Sequence, residues 1–148
     1  MKNDITYFYL SCWFLLFVGC EQIKTNRSDD NLFVGVWQME GRSMFEEMQV
    51  AISKKENGSF EGRILRLNEN KMIQIFADSN QIIVSDIKRN TNSQFTFTEK
   101  KIAGDLFSNY GLETKTDYKA VFITNDLIGL SSGTLDPKVS KIVYRRVK

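Results

Sequence analysis

The side chains that could do chemistry in this chain are mostly carboxylates, and no histidine accompanies them. That absence removes the commonest general base near neutral pH and the commonest zinc ligand, so a Ser-His-Asp or Cys-His site cannot be assembled. Glu46 and Glu47 are neighbours in sequence, and on a strand they point to opposite faces and cannot work as an acid–base pair. Glu61 follows Phe60 and is expected to face water, and Asp86 in "IIVSDIK" is expected near a strand end. Glycoside cleavage needs two carboxylates opposed across a cleft, and no pair stands out for it. "SSGT", residues 131–134, lacks the lysine and helix start of a phosphate loop and reads as a turn. Lys138, Lys141, Arg145, Arg146 and Lys148 gather near the C-terminus, either as a site for anionic sugars or lipid headgroups or, the preferred reading, as charges guarding a strand edge. The expectation is a non-enzyme with no catalytic residues, no metal and no cofactor.

The residue placed for a covalent modification is Cys20. Ile5–Val18 is apolar, and fourteen helical residues span roughly 21 Å, short of the ~30 Å hydrocarbon core. A cleaved secretory segment fits better than a spanning anchor. Phe17-Val18-Gly19-Cys20 resembles a bacterial lipobox, with a small residue before the cut and a thiol after it to carry diacylglycerol and acyl chains such as palmitate. Cys12 also follows a small residue, Ser11, but only about seven apolar residues precede it, so Cys20 is preferred. With Cys20 acylated and Cys12 removed, no thiol remains for a disulfide or a metal.

Residues 1–19 are therefore expected to be a lipoprotein signal peptide with a signal helix. Residues 20–31 are expected to be the lipidated cysteine and a flexible polar tether, and residues 32–148 the folded domain. By resemblance to sorted lipoproteins, Glu21 after the cysteine points to the outer membrane of a bacterial envelope. A net charge of +2 supplies no field for nucleic acid.

From Leu32 onward the apolar residues alternate. Phe33, Gly35, Trp37 and Met39 share one face, as do Met48, Val50 and Ile52, then Phe60, Gly62 and Ile64. Asn57-Gly58 predicts a hairpin closed by a type I′ turn. "MIQIF", "QIIVSDIK", "SQFTFTEK", "DYKAVFIT", "LIGLSSG" and "KIVYRRV" continue the series. The spacing predicts an all-β, antiparallel fold of about eight or nine short strands, closed so that few edges stay unpaired. Residues 102–114 interrupt the rhythm with two glycines and bulky Leu106, Phe107 and Tyr110, as a long loop or a helical turn.

Gly35-Val36-Trp37 opens the first strand, and Tyr144-Arg145-Arg146-Val147 lies in the last. This pairing resembles the calycin superfamily, closest to small bacterial lipocalin-like lipoproteins. The resemblance implies an up-and-down barrel in which Gly35, Trp37 and Arg146 close the structure, the indole lying beneath the guanidinium. Alternation puts Arg146 on the face of Ile142 and Tyr144, which selects it over Arg145. The chain lacks the second lipocalin motif and any disulfide.

Met39, Phe60, Phe97, Tyr118, Phe122 and Tyr144 are the inward-facing candidates for a ligand site. They either line an apolar pocket or simply fill a small barrel. Two functions follow. One is a lipid-anchored envelope protein, held to the membrane through Cys20, that binds a small apolar ligand. The other is an envelope interaction module of inhibitor or immunity type, with a filled barrel and a protein partner.

Overall fold

The computed structural model describes residues 30–148. Cys20, Cys12, the signal segment and most of the tether lie outside these residues. Asp30 and Asn31, assigned above to the tether, instead begin a 3-10 turn, Asp30–Phe33, that leads into the first strand.

Eight strands follow: β1 (Gly35–Glu40), β2 (Gln49–Lys54), β3 (Phe60–Arg66), β4 (Ile82–Arg89), β5 (Gln94–Lys100), β6 (Lys115–Thr124), β7 (Leu127–Ser131) and β8 (Val143–Arg146). Each pairs antiparallel with the next, and β8 pairs back onto β1, so the sheet is a closed up-and-down barrel. The expected architecture is the one observed. Alternation decides which residues enter it: Trp37 and Met39, Val50 and Ile52, Phe95 and Phe97, and Ile128 and Leu130 are all buried. Gly62 also points inward, where an added Cβ would stand 2.8 Å from Val84 and 2.9 Å from Val50.

Two local expectations are corrected. "MIQIF" is not a strand but part of helix α1 (Lys71–Phe76), which is why eight strands form and not nine. A short apolar run has no decisive period. Here Asn70 settles it as an N-cap, its side-chain oxygen accepting the Met72 N–H at 2.9 Å, while only Ile73 is buried. The β2–β3 hairpin forms at Asn57-Gly58, but Asn57 keeps a negative φ, so the turn is not type I′. The Gly58 N–H bonds the Lys55 carbonyl at 2.9 Å and Gly58 itself is left-handed (φ 81°), a type I turn followed by a bulge. Asn57 is held by accepting from the Ser59 N–H and hydroxyl. In the 102–114 segment the helical alternative is found, as α2 (Gly104–Asn109).

The outer face is charged, with Glu61, Arg63, Lys88, Asp117, Lys119 and Arg145 alternating against the buried series. A barrel that crosses a bilayer shows the reverse, an apolar band outside and a polar lumen. Among the described residues no helix is long and apolar enough to cross a membrane.

Closure depends on a close approach at Gly35. Its φ of 142° lies outside the range favoured by L side chains, and a Cβ there would collide with the Arg146 guanidinium. Gly35→Ala is therefore expected to destabilise the barrel by about 1–3 kcal/mol, measured by urea unfolding. A neutral substitution would show that the approach is not required.

Candidate functional site

The two ends of the barrel are built differently. At the floor, the connections 55–59, 90–93 and 125–126 are short. At the other end the connections 41–48, 67–81, 101–114 and 132–142 are long, and two of them carry the helices. Long connections on a rigid scaffold are where binding surfaces concentrate.

The floor is sealed by the chain as it enters. Phe33 is buried, its ring 4.6 Å from Phe95, 5.3 Å from Phe60 and 5.1 Å from Phe122, with the Arg89 guanidinium 5.1 Å from its centroid. Beside it Trp37 donates its indole N–H to the Phe33 carbonyl at 3.0 Å. Arg146 is the direct cross-strand partner of Trp37, and its Cζ stands 4.2 Å from the indole centroid. Its remaining donors reach the Leu32 carbonyl at 2.6 Å and that of Val34 at 2.9 Å, and Asp126 lies 3.2 Å from Nε. A cation over an indole contributes about 0.5–2 kcal/mol, and here it joins the first strand, the last strand and the entering turn at one point.

At the long-loop end a charged pair closes the interior. Arg42, from the β1–β2 connection, forms two parallel bonds to Glu99 of β5, Nη1 to Oε1 at 2.6 Å and Nη2 to Oε2 at 3.1 Å. Both side chains are nearly buried, at 13% and 10% exposure. Tyr144 of β8 donates to Glu99 at 2.7 Å, and Arg42 also donates to the Tyr118 hydroxyl at 3.2 Å. Burial pulls the Arg42 guanidinium toward neutrality, but the bond and charge of Glu99 outweigh it and raise its pKa. Burial raises both phenols, and the Glu99 carboxylate adds to the rise at Tyr144. The two raised phenols therefore stay neutral at neutral pH beside the Arg42–Glu99 pair. The carboxylate oxygens and hydroxyls are turned on one another, while Arg42 Nε is buried with no hydrogen-bond partner among the described residues.

The six ligand candidates do come together, but against each other. Met39, Phe97, Tyr118 and Tyr144 are buried, and Phe60 and Phe122 are half-buried against the same core. Phe97 stacks on Tyr118 at 5.6 Å and lies 6.0 Å from Tyr144; Trp37 lies 6.3 Å from Phe122. The aromatic column runs from Phe33 at the floor to the Arg42–Glu99 pair at the other end. All six belong to, or pack against, one buried cluster.

Two grooves lie on the outside of the barrel. A groove of about 800 Å³ runs between the end of α1 and the 100–108 segment, lined by Ile75, Phe76 and Leu106 with Arg63, Lys100, Lys101 and Lys115. A second, of about 550 Å³, lies over the outward Thr96, Thr98 and Lys119 and is bordered also by Phe97 and Tyr118. Exposed apolar side chains crowd the long loops: Met44, Ile75, Phe76, Tyr110, Leu112 and Val139 are each more than 40% exposed.

Among the described residues, Glu46 with Glu47, Glu61 and Asp86 sit in three different elements. Glu46 accepts the Gly41 N–H within the β1–β2 connection, and Glu47 is left-handed in the same loop. Asp86 is not at a strand end: it sits exposed at a bulge inside β4, with φ 54°. Glu61 is on the outer face but does not face water freely, because Lys55 and Arg63 cover it and leave it 7% exposed. Of the C-terminal cations, Arg145 lies on Glu40, while Arg146 and Lys148 share Asp126 and Arg146 also covers Trp37. No group of three metal-ligating side chains occurs among the described residues. Arg42 and Glu99 were not anticipated. The register of "QFTFTEK" puts Glu99 on the face of Phe95 and Phe97, a legible sign of an inward carboxylate, whereas nothing in the loop around Arg42 signals its partner.

No family model, curated protein or solved structure matches this chain.

Removing one member of the buried pair leaves the other charge uncompensated. Arg42→Met is expected to cost about 3–5 kcal/mol, and adding Glu99→Gln to that variant to recover part of it, both read from denaturant unfolding. A double variant worse than Arg42→Met alone would show that Glu99 is stabilised without Arg42. The Lys55 hydrogen bond, followed by that of Arg63, lowers the pKa of Glu61 in the folded state. Its contribution is thus present above the unfolded carboxylate value and lost as pH falls through the folded one. Stability measured from pH ~6 down to pH ~3 is expected to fall more steeply in the parent than in Glu61→Gln.

Proposed function

We propose that this chain is a lipid-anchored protein of the bacterial cell envelope whose barrel is a solid scaffold, and that it works as an interaction module through its long-loop end. The observation that carries this reading is the filled interior. The residues that would have to part for a small apolar ligand, Met39, Phe97 and Tyr144, are buried in one cluster, with Phe97 6.0 Å from Tyr144 and Met39 the cross-strand partner of Tyr144. Above them the Arg42–Glu99 pair would have to be broken for a ligand to enter. Breaking it without replacement costs several kcal/mol, which few small apolar ligands return.

The anchor is proposed on the Phe17–Cys20 motif, with Cys20 as the acylated residue and Glu21 favouring the outer membrane. A relation to the calycin superfamily is proposed on the closure of β1 by β8 and the place of Gly35, Trp37 and Arg146 in it. No enzymatic activity is proposed.

The test is mass spectrometry of the full chain purified from its native envelope. Acyl chains are expected on Cys20, with Cys20→Ser releasing the protein from the membrane fraction, and no apolar molecule is expected to co-purify in stoichiometric amount. A stoichiometric apolar ligand, lost when Phe97 is enlarged to Trp, would return the carrier function in place of this one.

A further inference from the structure

We infer that the groove between α1 and the 100–108 segment docks an acidic, apolar-tipped surface of a partner protein. The inference rests on the interaction reading above and names the partner's chemistry. Lys100 and Lys115 are direct cross-strand partners at the tips of β5 and β6. Like charges directly opposite in a ladder repel, and sheets ordinarily place an opposite charge there. Neither lysine has a carboxylate within ion-pair distance among the described residues, and both line the groove with Lys101. Lys101 reaches only an exposed carboxylate, Glu113, at 4.0 Å. Among the described residues the lining holds four cations, Arg63, Lys100, Lys101 and Lys115, against two acids, Asp78 and Asp105, and so is net positive, with Glu61 and Glu113 bordering it beside Arg63 and Lys101.

Around that charge stand Ile75, Phe76 and Leu106, which are 69%, 41% and 44% exposed. Carboxylates set among apolar side chains would satisfy both features at once. A buried small molecule would not, since such sites enclose most of their ligand in largely apolar walls and this groove is open and rich in cations. Exposed apolar residues also continue onto the other long loops, at Met44, Tyr110 and Val139, which extends the surface toward the size of a protein interface.

The direction of the chain separates a protein partner from the anchoring bilayer. The described chain starts at the floor, at Asp30, and the groove lies at the opposite end. A barrel anchored through the chain that precedes Asp30 is held from its floor and presents the groove away from its own membrane. Lipid headgroups of that membrane would meet the groove only if the barrel turned over.

The experiment uses the full chain in zwitterionic nanodiscs and fluorescence anisotropy of three labelled peptides. These are one alternating Glu with Phe and Leu, its Lys-for-Glu counterpart, and one of Glu with Ser. The first is expected to bind and the other two to bind at least about tenfold more weakly. Lys100→Glu/Lys115→Glu is expected to lower affinity for the first by about tenfold or more, as is raising salt to about 0.5 M. Phe76→Ser, at an exposed position, supplies an independent loss if the charge variant folds poorly. No binding at up to about 1 mM peptide, binding unchanged in both variants, or preference for anionic phosphatidylglycerol vesicles over the peptide would overturn the proposal. So would self-association of the chain that Phe76→Ser abolishes in place of peptide binding. Loss of peptide binding with no co-purifying ligand removes only this groove, whereas an interior ligand with peptide binding intact removes only the solid-scaffold reading.

Discussion

The structure depends on the joining of its first strand to its last. A sheet of eight short strands left open would present two unpaired edges, and its apolar face would lie bare to water. Here Trp37 and Arg146 face each other across β1 and β8, and the guanidinium covers the indole while bonding the carbonyls of Leu32 and Val34. One side chain thus fixes the ladder, the floor and the incoming turn. The requirement reaches back to Gly35, the position at which any side chain would displace that guanidinium.

Once closed, so small a barrel has little interior to spare, and this one spends it on side chains. Four phenylalanines meet at the floor, and the column of Trp37, Phe97, Tyr118 and Tyr144 carries the packing upward. The upper end is finished by an ion pair with two phenols on it. A nearly buried Arg–Glu pair adds little net stability over an apolar plug, but it is costly to break. It holds the β1–β2 connection over the interior, which makes the barrel a rigid support for its loops.

That support is one-sided. Tight turns at the floor leave the strands no room to vary, while the opposite end carries two short helices and most of the exposed apolar side chains. The like-charged tips of β5 and β6 belong to the same end. A net positive lining and exposed apolar area coincide there, and their coincidence is what the proposed partner surface answers.

Alternation of apolar and polar residues from Leu32 onward determined the fold class, because a period of two survives only in strands half buried against a core. The same alternation selected Arg146 over Arg145 and marked the inward aromatic series. It could not decide "MIQIF", where five residues are too few to separate a strand from a helix and an asparagine cap tipped the balance. Nor could it distinguish a pocket from a packed interior, since both need the same inward residues and differ only in how they fill the volume. The Arg42–Glu99 pair spans 57 positions, and the Lys100–Lys115 opposition needs a strand register that no single segment encodes. Local patterning carries the direction in which each side chain points. Which side chains then meet depends on closure of the barrel, and only the tertiary structure decides that.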